Sequence, residues 1–273
     1  MLARIFVSAG LAFVSAVPAL AHTGYVLPNR FFLPEGGTVT TQAAFSEAFP
    51  QPEVALRSPA MSVIAPDGTS LAFEDQTTIG ALTVLTSNLT TPGTYRLTTG
   101  KRLGRKGYVT DEGGLLVRAT SKPDQSKLGD AIKILTSQTV TVSDAYVSVG
   151  EISDVMPVGL SRLTIGLNRH PNCLLDNQQI GFNIRFDDQP LAKHTVTISR
   201  PFGPYLGEGE GLEYRTDQFG NLSFSKLHAG LYLIMVRHLA YAPEGSETDV
   251  ESYTTSLVID VQGRGGSRKG CAY

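Results

Sequence analysis

Residues 213–240 read EYRTDQFGNLSFSKLHAGLYLIMVRHLA, and the reading of this stretch decides the fold. Tyr214-Arg215-Thr216 and Leu222-Ser223-Phe224 flank Asp217 to Asn221. Asp, Gly and Asn there tolerate the tight or left-handed backbone that a turn requires. A second turn, HAG at 228–230, feeds LYLIMVRHL at 231–239, a run of apolar, β-branched and aromatic residues that suits a buried strand. No helical period survives across the stretch. Its grammar is strand, turn, strand.

The same grammar extends outward. Upstream, GFNIRFDDQPLAKHTVTISRP (181–201) alternates through FNIRF, turns at DDQP and alternates again through HTVTISR. Downstream, YTTSLVIDV (253–261) predicts a last strand. In the first half, TVTTQAAF (38–45), MSVIAP (61–66), LTVLTSNL (82–89), TYRLTT (94–99) and GLLVRAT (114–120) are short strand-like runs, with PDG and TPG as turns. The expected fold class is all-β, two β-sandwich domains in tandem over 22–120 and 161–262. Residues 121–160 are expected to be a connecting segment that pairs with one of the sheets, with room for a short helix around Gln125 to Leu135. Residues 263–273 form a polar tail.

The ends and totals bound the function. Residues 1–21 read as a cleavable secretory signal: Arg4 is the positive flank, Ile5 to Leu20 is apolar and small, and Ala19-Leu20-Ala21 fits the A-x-A rule. No later run is long and apolar enough to be a membrane span, so a soluble periplasmic chain of 252 residues starting at His22 is expected. The formal charge of −2 becomes about −3 on loss of Arg4, which argues against a nucleic-acid partner. The GKRLGRKG stretch (100–107) carries four cations and is expected to be a solvated hairpin tip. Contact with an anionic partner or a membrane surface is its alternative. Only Cys173 and Cys271 are present. One disulfide is the simplest expectation in an exported chain, with two thiolate ligands as the alternative. The stretch GEGEG (207–211) reads as a flexible loop whose acids would repel phosphate.

Five histidines, His22, His170, His194, His228 and His238, carry whatever chemistry the chain has. Cleavage after Ala21 gives His22 both an imidazole and a free α-amine. One further imidazole would complete a three-nitrogen site suited to copper(II) or nickel(II). His238 is the expected partner, since it follows the LYLIMVR strand and precedes a loop carrying Glu244, Glu247, Asp249 and Glu251. His170, in NRHPNC, is a third candidate ligand. His194 and His228 read as ordinary surface and turn residues. The sequence has no H-E-x-x-H, G-x-S-x-G or G-x-x-x-x-G-K-[ST], so no enzyme is expected.

Two resemblances add to this. The segments DDQPLAKHTVTI, RTDQFGNLSF and LHAGLYLIMV resemble the transthyretin-like, or carboxypeptidase-regulatory-like, module. Across residues 22–261, the opening AHTGYVLPNRFFLPEGGTVT, the NRHPN segment and the closing VRHLAYAP…ESYTTSLVIDV are similar to a bacterial periplasmic family of unknown function. That family is often described as a periplasmic component of nickel or cobalt transport. The resemblance implies a periplasmic binder of a transition metal ion (copper, nickel or cobalt) that hands it to an outer-membrane receptor or inner-membrane transporter. The alternative is a metal-free module that docks onto another envelope protein.

Overall fold

A computed structural model describes residues 22–153, 161–176, 178–201, 211–225, 227–263 and 270–271. The expected leader at 1–21 and most of the GEGEG stretch and of the C-terminal tail lie outside the described residues. The alternating runs of the sequence become strands in three sheets. In the first sheet, Thr23–Pro28 pairs antiparallel with Gly37–Ser46, which pairs with Leu82–Leu89 and so with Asp75–Ile79. The short Val54–Ala55 strand adds to Gly37–Ser46. The third sheet joins Leu163–Leu167, Ile180–Phe186, Gln189–Pro190 and Asn221–Phe224. Its DDQP turn holds Asp187 and Asp188 at positive φ, 50° and 60°, as a two-residue hairpin connection demands.

Between these lies the second and largest sheet. Its order runs Leu212–Arg215, Thr195–Ser199, Gly230–Tyr241, Val250–Val261, Ile132–Val149, Gly93–Thr98, Ser62–Ile64 and Ser70–Leu71. Because successive strand residues face opposite sides, this sheet supplies both cores. Leu233, Val258, Ala145 and Val147 pack with Tyr25, Val39 and Leu85 on one side. Tyr232, Ile234, Leu257 and Ile259 pack with Phe182 and Ile184 on the other. Each fully buried Val, Leu, Ile or Phe among them is worth about 1.5–3 kcal/mol. The all-β sandwich class expected from the sequence is what the chain adopts, with one sheet common to both cores.

That shared sheet takes in much of 121–160. Ile132–Val149 is an 18-residue strand that pairs antiparallel with Arg102–Glu112 and Gly93–Thr98, and parallel with Val250–Val261. The pairing expected of this segment is present, and it lies in the sheet that serves both cores. The expected helix is reduced to a 3-10 turn at Gln125–Lys127, capped by Asp124. Polar residues in the long strand are buried with partners. Asp144 meets Arg96 at 2.6 Å, and Ser143 hydrogen-bonds Ser256. Burial works against the Arg96 charge, but the Asp144 carboxylate beside it holds the guanidinium protonated beyond its ordinary range.

Two further expectations meet the structure here. Cys173 and Cys271 form a disulfide, with Cα atoms 5.5 Å apart and 98 positions between them in sequence. Closing a loop of that length removes roughly 4–5 kcal/mol of unfolded-state entropy on the chain-entropy view. The GKRLGRKG stretch is not a hairpin tip. From Arg102 it is strand, with a bulge between Leu103 and Lys106. Its cations meet the acids of the 244–251 loop, Lys106 on Glu247 at 2.7 Å and Lys101 on Glu251 at 3.5 Å. Among the described residues, no helix is long and apolar enough to cross a membrane.

Candidate functional site

His22 sits immediately before the first strand, and strand register decides what it meets. Thr23 lies opposite Ser46, so Glu47, one residue further on, comes opposite His22. Phe45 lies opposite Val54, which brings Glu53 to the same corner. The loop between the two acids is pinned: Tyr25 Oη donates to the Pro50 carbonyl at 2.8 Å, and Phe49 packs edge-on against the Tyr25 ring. The Glu47 N–H donates to Glu53 Oε1 at 2.8 Å. As a result His22 Nδ1 lies 3.1 Å from Glu47 Oε1 and 3.3 Å from Glu53 Oε2. These three side chains, all exposed, offer ligand atoms within 4.8 Å of one another. Sequence reasoning found His22 and missed both glutamates.

The structure does not bring His238 to His22. On the Gly230–Tyr241 strand, Arg237 faces the first sheet and donates to Thr23 Oγ1 at 3.3 Å. His238, the next residue, therefore projects from the opposite face, where its ring packs on Phe186 at 4.5 Å between centroids. Its nearest imidazole is His194, 5.2 Å away between ring centroids. His194 is half-buried, and its Nε2–H donates to the Arg237 carbonyl at 2.6 Å. A carbonyl can only accept, which fixes the tautomer. Arg162 stacks on the same Phe186 ring at 4.5 Å and grips Asp187 through two bonds, Nε to Oδ1 at 2.6 Å and Nη2 to Oδ2 at 2.5 Å. Burial, then the neighbouring His194 and Arg162, push the His238 imidazole down to about 4, with Asp187 opposing.

His170 is occupied by the fold itself. Its Nδ1 accepts the Asn172 N–H at 3.1 Å, capping the Pro171–Cys173 turn. Its Nε2 must then carry the hydrogen, which it gives to Thr94 Oγ1 at 2.9 Å. Thr94, Ser148 and Asn172 continue that buried network at 2.9 Å per bond. With both nitrogens committed, His170 has no lone pair to offer a metal. His228 lies in the turn, its carbonyl accepting from Tyr232 Oη at 2.8 Å.

The acids expected to surround His238 turn elsewhere. Asp249 accepts from the Thr136 N–H and hydroxyl at 2.8 and 2.6 Å. Glu251 is buried and accepts from Tyr253 Oη. Glu247 belongs to Lys106.

Comparison with known proteins adds a family. No curated protein matches the chain. Among solved structures, the chain is similar to alpha-2-macroglobulin of Escherichia coli activated by porcine elastase, at 14% identity and a TM-score of 0.23 over 88% of this chain. Salmonella alpha-2-macroglobulin follows at 11% identity and 0.23 over 86%. The chain covers only 20% and 14% of those two proteins. The D0–D1 domain of Intimin matches at 10% identity and 0.22, covering 86% of this chain and 97% of that one. Residues 19–240 match the profile of DUF4198, a domain of unknown function, and the chain belongs to that family.

Proposed function

We propose that the protein is a non-catalytic periplasmic carrier that takes a divalent transition metal ion, nickel or cobalt or copper, as cargo at the His22 corner. The observation that carries this reading is the convergence of His22 Nδ1 on Glu47 and Glu53 at 3.1 and 3.3 Å. Metal–ligand bonds of about 2.1 Å give ligand–ligand edges of roughly 3.0–3.4 Å, so a common ion needs little rearrangement. One imidazole nitrogen and two carboxylate oxygens form a mixed donor set suited to borderline ions. Cleavage after Ala21 would add the His22 α-amine as a fourth donor. Because all three side chains are exposed, the ion could leave as readily as it enters, as delivery requires. The resemblance to nickel and cobalt transport components points the same way, and the transthyretin-like second half would serve as the docking module.

The test joins intact mass to metal titration on one sample. The chain is exported with its leader from a bacterial host, weighed, and titrated with nickel(II), cobalt(II) and copper(II). The reading expects a mass beginning at His22 and one saturable site that H22A removes. An apparent Kd weaker than about 1 mM for all three ions would overturn it and leave the envelope-docking alternative. Wild-type affinity in H22A would equally remove this corner as the site.

A further inference from the structure

Two strand edges without a pairing neighbour contribute to the wall of one cavity. The first belongs to Leu115–Ala119, which pairs antiparallel with Arg102–Glu112 and, among the described residues, with no other strand. Gly113 and Gly114, at φ 59° and 92°, make the two-residue turn between these strands, and its closing bond joins Glu112 to Leu115. Residues of an antiparallel ladder alternate between bonding the partner strand and pointing away from it. Leu115, Val117 and Ala119 therefore bond inward, while Leu116 and Arg118 turn N–H and C=O to the open side.

The second edge lies on Gly230–Tyr241. Ala242 N–H donates to the Asp249 carbonyl at 2.9 Å, so the same alternation aims the odd-numbered residues of this strand away from Val250–Val261. Thr195–Ser199 covers that side only as far as Val236. Beyond it, side chains take over: the Arg237 carbonyl accepts from His194 Nε2 at 2.6 Å and the Tyr241 carbonyl from Arg162 Nη1 at 3.0 Å. Leu239, between them, turns its N–H and C=O outward, and among the described residues no strand pairs with it there.

A cavity of about 410 Å³ is lined by Leu116 and Arg118 from the first edge and by Leu239, with His194 beside it, from the second. A row of alternating main-chain donors and acceptors is matched by another extended backbone. A volume in the range of small-molecule sites admits one extended segment and not the folded edge of a second copy. Leu116 and Leu239 offer apolar contact. None of the described residues lining the cavity is acidic, which leaves a basic side chain there without a partner.

We propose that this cavity binds a short extended peptide, uncharged or acidic, which adds as a strand to the Leu116 and Arg118 main chain with apolar side chains against Leu116 and Leu239. The site stands apart from the His22 corner and holds whether or not a metal binds there.

Amide NMR of the isotope-labelled full chain tests it, with blocked pentapeptides that alternate leucine or valine with threonine as probes. Saturable shifts of the Leu116, Arg118 and Leu239 amides are expected, with a Kd below about 1 mM. L116P removes an outward N–H and leaves the ladder to Arg102–Glu112 intact, as proline on an edge strand can. It should weaken binding by about tenfold, whereas L116A, which keeps that N–H, should lose clearly less. Equal losses in the two variants would overturn strand addition, as would no binding of any probe below about 1 mM. Should L116P fail to fold, the wild type still decides: a probe N-methylated at alternate nitrogens must lose its binding, and unchanged binding would overturn the proposal. A chain that dimerises through this edge and binds none of the probes would overturn it in favour of a second copy.

Discussion

Two regions of this molecule set histidines among very different neighbours. At the start of the first strand, His22 faces Glu47 and Glu53. On the far side of the shared sheet, His238 sits with His194, the Phe186 ring and the Arg162–Asp187 ion pair. Only two bonds separate the regions: Arg237 reaches Thr23, and Thr23 follows His22. The residue type is the same, so the difference lies in what strand register places beside it. Two carboxylates flank the exposed His22 imidazole. Burial and a neighbouring imidazole and guanidinium keep the His238 imidazole neutral.

The comparison breaks most visibly in metal affinity. E47Q with E53Q should weaken nickel(II) binding at the His22 corner by about a hundredfold, since even partners of metal ligands cost 10–100-fold, whereas H238A should leave it within about twofold. Equal losses from both variants in the same titration would erase the distinction. His170 offers a control with neither role. H170A strips a buried hydrogen-bond network and should cost about 1–3 kcal/mol in denaturant unfolding, with metal affinity unchanged.

A third test uses pH. His238 titrates near 4 in the folded chain and near 6.5 when unfolded. Between those values the unfolded chain binds more protons, so stability falls as pH drops from about 6.5 toward 4, and is complete above that window. H238F, measured by thermal unfolding across the same range, should flatten that part of the profile. A slope as steep as the wild type's would show that burial of His238 is not what sets that part of the profile. The smallest effect belongs to D187N. Asp187 is largely exposed beside Arg162, so its loss should cost no more than about 1 kcal/mol, and should move the His238 titration lower still, as read by NMR.

What was legible in the sequence was local. The Asp217 turn announces itself because Asp217 Oδ1 accepts from the Phe219 and Asn221 N–H groups at 2.8 Å each, and Gly220 takes φ 74°. A Cβ there would lie 2.5 Å from the Ile184 carbonyl. The disulfide followed from counting two cysteines. Glu47 and Glu53 were illegible because their meeting with His22 depends on two registers, Thr23 with Ser46 and Phe45 with Val54, which no spacing along the chain reveals. The acids near His238 misled for a similar reason. They are close in sequence but pair with Lys101, Lys106 and Thr136. The segment's pairing was legible in its β-branched run, but its place at the centre was not, since Thr141, Ser143, Asp144 and Ser148 are polar and yet all four are buried between layers.

That long strand also fixes an order of events. It pairs parallel with Val250–Val261, from Ser137 opposite Val250 to Ala145 opposite Val258. A chain made from its N-terminus thus completes Ile132–Val149 about a hundred residues before its neighbour exists. Until then the first core lacks Leu233 and Val258, and one edge of the long strand stands open to any other strand that meets it. The second half cannot close first, because its own wall includes Val140 and Tyr146 from that strand. Neither half matures alone, and a ribosome that stalls before residue 250 releases a product with two unfinished interiors rather than one finished domain.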